Sequence, residues 1–103
     1  MLIDLGAEQL FAAEKDAKKI AVEIKSFLRD SILDDFYHAL GQFLLYRKAL
    51  QKLEPDRELY LAIRESVYLR LFSEPDMESL RVEEKVKIMV FNPETEEIVK
   101  WIV

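Results

Sequence analysis

Residues 18–27 read KKIAVEIKSF, a stretch in which aliphatic side chains alternate with other types. Successive side chains of a β-strand point to opposite faces, so one face is aliphatic throughout: Ile20, Val22 and Ile24. The other face carries Glu23 and Lys25, flanked by Ala21 and Phe27. This period of two predicts a strand that is half-buried in a sheet.

Further strands are predicted from the spacing of apolar residues elsewhere. Short apolar or alternating runs occupy the following ranges: 2–5, 59–63, 86–91 and 98–103. Residues 10–15 could pair as a further strand, and Glu14-Lys15-Asp16 reads as a turn. Gly6 permits a turn after the first strand. Residues 92–97 have turn composition, so the last two strands are predicted to form a hairpin.

A long helix is predicted in the middle of the chain. Ser31 can cap it with Asp34 at capping-box spacing, and apolar residues then recur at helical intervals to about Leu53. Pro55 stops this helix because its ring cannot continue the hydrogen-bond ladder. Residues 68–72 predict a short second helix.

The order of these elements predicts the fold class. The predicted order is strand, strand, helix, strand, helix, strand, strand. This order indicates an α/β protein of the α+β kind, with a mixed β-sheet flanked by helices. A mainly antiparallel sheet is the competing topology. A chain of 103 residues has room for one core, so residues 1–103 are predicted to form a single domain.

Composition limits the functions that remain. Half of the residues are hydrophobic and 34% are charged, as in ordinary globular proteins. The net charge of −5 argues against binding nucleic acid over the whole surface, so any DNA contact must be local, metal-bridged or shared with a partner. The sequence has no cysteine, no secretory signal and no apolar run long enough to cross a bilayer, which predicts a cytoplasmic protein.

Glu23 and Lys25 are the candidates for chemistry. Their side chains leave the same face about 6.6 Å apart at the backbone, since a strand rises ~3.3 Å per residue. If the strand of Asp4 lies beside this one, Asp4 and Glu23 become metal ligands for Mg²⁺ or Mn²⁺. Lys25 then supplies a fixed positive charge or orients the attacking water. The alternative is a solvated strand face without chemistry, because half-exposed strands show the same alternation.

An Asp on one strand followed by Glu-Ile-Lys on the next resembles the core pattern of the PD-(D/E)xK nuclease superfamily. Asp4, Glu23 and Lys25 match its acidic and basic positions, with Ile3 where the proline of the name would stand. The resemblance implies a restriction-endonuclease-like core with these three residues as the catalytic site.

The long helix carries Gln42 and Tyr46, which resemble the Gln-x-x-x-Tyr signature of one branch of that superfamily. Residues i and i+4 share a helix face, and the resemblance implies that both residues position DNA. The alternative is that Tyr46 packs on the core with Gln42 beside it.

Whole phrases resemble the XisH proteins over essentially the entire chain. The matching phrases are IDLGAE at 3–8, IAVEIKSF at 20–27, ALGQ at 39–42, EPDR at 54–57 with LYLA at 59–62, and VKWI at 99–102. XisH proteins are named as controlling factors for excision of the fdxN element during heterocyst development in cyanobacteria, and their fold is similar to that of PD-(D/E)xK endonucleases. The resemblance implies a role in programmed DNA excision, beside an XisI-like protein and a site-specific recombinase.

The start of the chain departs from the family pattern. Family members usually carry a helix and a first strand ahead of the phrase at residues 2–4, whereas this sequence starts inside the second strand. The resemblance thus implies that the usual N-terminal helix is lacking, through a misassigned start codon or because the chain is a remnant or helper. An uncovered sheet face and edge would favour a homo-oligomer.

Two functions stay open from the sequence. The first is a metal-dependent endonuclease that acts through the three residues of the superfamily pattern. The second is a non-catalytic interaction protein, in which a degenerate nuclease fold binds the XisI-like protein or the recombinase. The acidic composition and the short start favour the second function.

Overall fold

The computed structural model describes residues 2–5, 9–27 and 31–103, with Asp4 described by its backbone alone. These residues form six strands and three helices in the order β1 (Leu2–Asp4), β2 (Gln9–Lys15), β3 (Lys18–Ile24), α1 (Ile32–Leu53), β4 (Glu58–Arg64), α2 (Glu65–Phe72), α3 (Pro75–Glu83), β5 (Lys87–Asn92) and β6 (Glu97–Ile102). The fold is α+β, as predicted. Within the described ranges no helix has both the length and the apolar character needed to cross a membrane.

The strands form one mixed sheet in the order β1-β2-β3-β4-β5-β6. β3 pairs in parallel with β4, and β4 pairs in parallel with β5. The other three pairings are antiparallel. Neighbouring parallel strands need a crossover connection. The helix α1 connects β3 to β4, and the helices α2 and α3 connect β4 to β5. The predicted mixed sheet is confirmed.

Turns within the described residues join β2 to β3 and β5 to β6. Asp16 and Ala17 take φ angles of 52° and 66°, which is typical of a two-residue hairpin turn whose twist matches that of the strands. β2 is thereby confirmed as a strand and continues through Lys15, one residue before the turn. At the other hairpin, Asn92 Oδ1 accepts a hydrogen bond of 2.9 Å from the backbone N–H of Glu94.

The helices cover one face of the sheet and create the main core. Strand residues on this face meet helix residues such as Phe36 and Phe43, which are fully buried. Burying an aromatic side chain of this size stabilises a fold by roughly 1.5–3 kcal/mol. The second face carries a smaller cluster around Tyr60 and Trp101, whose rings meet edge to face at 5.1 Å between centroids. The described members of that cluster all come from strands.

The helix α1 begins and ends where the sequence predicted. Ser31 Oγ accepts a hydrogen bond of 3.1 Å from the Asp34 backbone N–H, which satisfies one orphan donor of the first turn. The helix ends at Leu53, two residues before Pro55. Arg57 then ties the following loop to the first hairpin, since its Nη1 donates to the carbonyls of Ala13 and Ile20.

Two predicted boundaries were wrong, and one helix was not predicted. β3 ends at Ile24 rather than at residue 27, and α2 begins at Glu65 rather than at residue 68. The whole of α3 was unpredicted, because Arg81 is its one buried residue and no apolar stripe marks it. The predicted turn at Gly6 lies outside the described residues.

Candidate active site

Glu23 lies near the end of β3 with its backbone level with Leu61 of β4. Its side chain points to the face that the helices cover, and the residue is 2% exposed. The alternation in residues 18–27 thus predicted the strand, and the alternative of a solvated face at Glu23 is wrong. Burying a carboxylate costs several kcal/mol unless nearby charges and hydrogen bonds compensate it. The surroundings of Glu23 must therefore supply such groups.

Lys25 supplies a compensating charge. It follows the last residue of β3, and its backbone N–H donates to the Ala62 carbonyl at 3.1 Å, which keeps it aligned with β4. Its Nζ lies 4.0 Å from Glu23 Oε2, with 23% of the Lys25 side chain exposed. The expectation that both side chains leave the same face is therefore confirmed.

The helix α1 brings Gln42 to the same point. Lys25 Nζ donates a hydrogen bond of 2.5 Å to Gln42 Oε1 across 17 positions of sequence. Tyr46 lies one turn further along α1, half-buried and packed against the main core. The structure thus brings Glu23, Lys25 and Gln42 together, with Tyr46 next to them on the helix. The Gln-x-x-x-Tyr resemblance singled out Gln42, but its hydrogen bond to Lys25 was not predicted, because that bond depends on where α1 crosses the sheet.

Asp4 is the last residue of β1, and its backbone pairs with that of Gln9 in β2. The strand β2 lies between β1 and β3, so the expectation that the strands of Asp4 and Glu23 are neighbours was wrong. Two strand spacings of ~4.8 Å separate the backbones of β1 and β3. The side chain of Asp4 lies outside the described part of the structure.

The chemistry of the site is that of one buried acid held beside one amine. Among the described side chains no group of three or more His, Cys, Asp or Glu residues could hold a metal ion. Mg²⁺ does not require such a group, because it commonly binds through one or two carboxylates and completes its octahedron with waters and phosphate oxygens. The carboxylate of Glu23 fits the oxygen donor that this mode of binding needs.

Fold and site together define an α+β protein with a mixed six-stranded sheet, a helical layer on one face, and a Glu-x-Lys pair with a buried glutamate at the end of a central strand. The family model described as XisH protein matches residues 1–99. This chain belongs to the XisH family.

Two solved structures are similar to the chain over its whole length. One is an XisH family protein from Nostoc punctiforme PCC 73102, with 40% sequence identity and a TM-score of 0.86; the match covers 100% of this chain and 83% of that one. The other is an fdxN element excision controlling factor protein from Anabaena variabilis, with 43% sequence identity and a TM-score of 0.86. The match covers 100% of this chain and 82% of that one. Comparison with curated proteins gives no match.

Proposed function

We propose that this protein acts in the excision of a DNA element, as a controlling factor with a metal-dependent endonuclease site at Asp4, Glu23 and Lys25. Family membership supports the first part, because the 43% identical structure from Anabaena variabilis is described as an fdxN element excision controlling factor. The single observation that carries the second part is the buried Glu23 with the Lys25 ammonium 4.0 Å away. The resemblance to PD-(D/E)xK endonucleases supplies the reaction.

In this proposal Asp4 and Glu23 hold the metal, and Mg²⁺ or Mn²⁺ supplies Lewis-acid stabilisation of a phosphate oxygen when bound. Lys25 keeps the charge of Glu23 compensated and presents a positive charge where the attacking water develops negative charge. Gln42 accepts a hydrogen bond from Lys25 and so fixes the position of its ammonium. Gln42 and Tyr46 on the facing helix would also position DNA.

A plasmid-nicking assay tests the proposed enzyme. Supercoiled DNA is incubated with the protein and Mg²⁺ or Mn²⁺, with an XisI-like protein and the recombinase present, and nicking is compared between wild type, Lys25→Ala and Lys48→Ala. Lys48 is exposed on the same helix as Gln42, so Lys48→Ala is the control variant that also removes one positive charge. The proposal predicts loss of nicking in Lys25→Ala alone. Equal nicking by all three proteins would rule out catalysis at this site.

A second function, a non-catalytic platform for the XisI-like protein or the recombinase, is favoured by a different observation. The sheet face without described helices exposes about half of each of three large apolar side chains: Leu2 at 49%, Phe11 at 50% and Ile24 at 51%. Leu2 and Phe11 are directly paired across β1 and β2. A contiguous exposed apolar patch is typical of an interaction surface.

A pull-down with the XisI-like protein separates the two functions. The platform predicts that Phe11→Asp abolishes capture while Glu23→Gln leaves it intact. Retained capture by Phe11→Asp would exclude this face as the platform. Sedimentation of wild type and Phe11→Asp reveals whether the same face makes a homo-oligomer instead. Either function places the protein in the cytoplasm, where the DNA is.

A further inference from the structure

A second candidate binding site lies at the opposite end of the sheet from Glu23. A pocket of 430 Å³ opens between the last turns of α1, the loop before β4 and the loop before β5. It meets the sheet at Glu58, three residues before Leu61, which is level with Glu23, so roughly 10 Å of strand separates it from Glu23. Its volume is within the range of ~300–1,000 Å³ that small-ligand pockets occupy.

The pocket is basic although the chain is acidic. Its charged lining residues in the described chain are four cations and one carboxylate: Arg47, Arg57, Lys85, Lys87 and Glu58. Their formal charge is +3, against −5 for the whole protein. Two of the cations have carboxylate partners, since Arg57 Nε lies 3.2 Å from Glu54 Oε1 and Lys87 Nζ lies 2.8 Å from Glu58 Oε2.

Arg47 and Lys85 provide the charge that is left over. Neither makes an ion pair with any side chain in the described ranges. Arg47 Nη1 donates to the carbonyls of Glu84 and Lys85 at 2.8 and 3.0 Å, and its guanidinium carbon lies 5.4 Å from the centroid of the Phe43 ring. These contacts fix the guanidinium in place while engaging one of its three nitrogens.

The backbone at Lys85 is in the left-handed conformation. Lys85 is the second residue after α3 and has a φ of 54°, and the Val86 N–H donates a hydrogen bond of 3.0 Å to the Arg81 carbonyl. This is the left-handed position after a helix at which glycine is preferred, because a side chain there is strained. Lys85 keeps a side chain at this position, and that side chain lines the pocket beside Arg47.

We propose that this pocket binds a phosphate group, with Arg47 and Lys85 as its principal ligands. A guanidinium offers paired N–H donors that match phosphate oxygens, and an ammonium adds a point charge. The phosphate has two chemical sources, a free phosphorylated small molecule or the backbone of a nucleic acid. The proposal is independent of catalysis at Glu23 and Lys25.

The test is a titration followed by ¹⁵N NMR at 150 mM NaCl, with inorganic pyrophosphate and a 12-base-pair DNA duplex as separate probes. We expect shifts at the amides of residues 57–59 and 84–87 rather than at residues 23–25. Shifts with pyrophosphate alone indicate the free anion, whereas tighter binding of the duplex with a steep salt dependence indicates the backbone. Absence of shifts in the pocket with both probes, pyrophosphate at 10 mM and the duplex alike, would overturn the proposal.

Variants separate a binding role from a structural one. Arg47→Gln and Lys85→Gln are each expected to weaken binding about 10-fold, as loss of a charge-assisted hydrogen bond does. Lys85→Gly should weaken binding similarly while the melting temperature stays the same or rises, because glycine suits the left-handed backbone. Lys48→Gln, the same charge change on the exposed side of α1, should alter binding less than 2-fold. An equal loss of affinity in Lys48→Gln would contradict a site at this pocket.

Discussion

Lys25 Nζ lies 4.0 Å from Glu23 Oε2, which joins an amine at the end of β3 to a carboxylate that is almost completely buried. The two residues are two positions apart, with Ile24 between them, so the alternation of side chains places them on the same face. Gln42 of α1 accepts a hydrogen bond from the same amine. The pair is therefore held between the sheet and its helical layer.

The pair should be energetically coupled. A double-mutant cycle with Glu23→Gln and Lys25→Met is expected to give a coupling free energy of about 1–2 kcal/mol, because removing the ammonium leaves a poorly solvated charge. Unfolding in urea, monitored by circular dichroism, measures it. The exposed pair of Lys19 and Asp56, 3.5 Å apart, is the control and should couple by less than about 0.5 kcal/mol. Equal coupling in both cycles would contradict the special environment of Glu23.

The core under α1 should respond to truncation according to burial. Phe43 is fully buried and Leu45 is 70% exposed, two positions further along the same helix. Phe43→Ala is expected to lower the free energy of unfolding by about 3–5 kcal/mol, since it removes buried apolar surface and leaves a cavity. Leu45→Ala should change it by less than about 0.5 kcal/mol. Chemical denaturation measures both, and similar losses would mean that α1 packs through another face.

Acid should disrupt the pair of Glu58 and Lys87. The hydrogen bond from Lys87 holds the pKa of the Glu58 carboxyl below its ordinary range, against a smaller opposing effect of burial. A carboxyl with a lower pKa in the folded state contributes stability above its unfolded pKa and loses it as the pH falls through the folded pKa. A ¹³C NMR titration should therefore find a higher midpoint for Glu58 in Lys87→Met. Lys85→Met is the control and should leave the midpoint unchanged; a shift in both variants would point to a general charge effect.

The sequence predicted those elements whose signals are local. The strict alternation around Val22 specified β3, and the Ser31 cap with the following apolar spacing specified α1, since both patterns arise from the element itself. The helix α3 has no such stripe. Its available signals were weaker, namely Pro75 in the first turn and acidic residues beside it.

The candidate site was predictable in part for the same reason. Glu23 and Lys25 belong to one strand, so their shared face followed from the period of two. The period of two did not predict which face the helices would cover. Ile20 and Val22 make the face opposite Glu23 look like the core side. The partner of Lys25 could not be predicted, because Gln42 reaches it through the crossing of α1 over the sheet.

Anomalous diffraction from crystals soaked in Mn²⁺ tests the proposed metal site most directly. We expect a peak within about 2.5 Å of a Glu23 carboxylate oxygen, and no peak there in crystals of Glu23→Gln. A wild-type crystal without density at Glu23 at 10 mM Mn²⁺, or a peak that persists in the variant, would contradict a metal-dependent site at the end of β3.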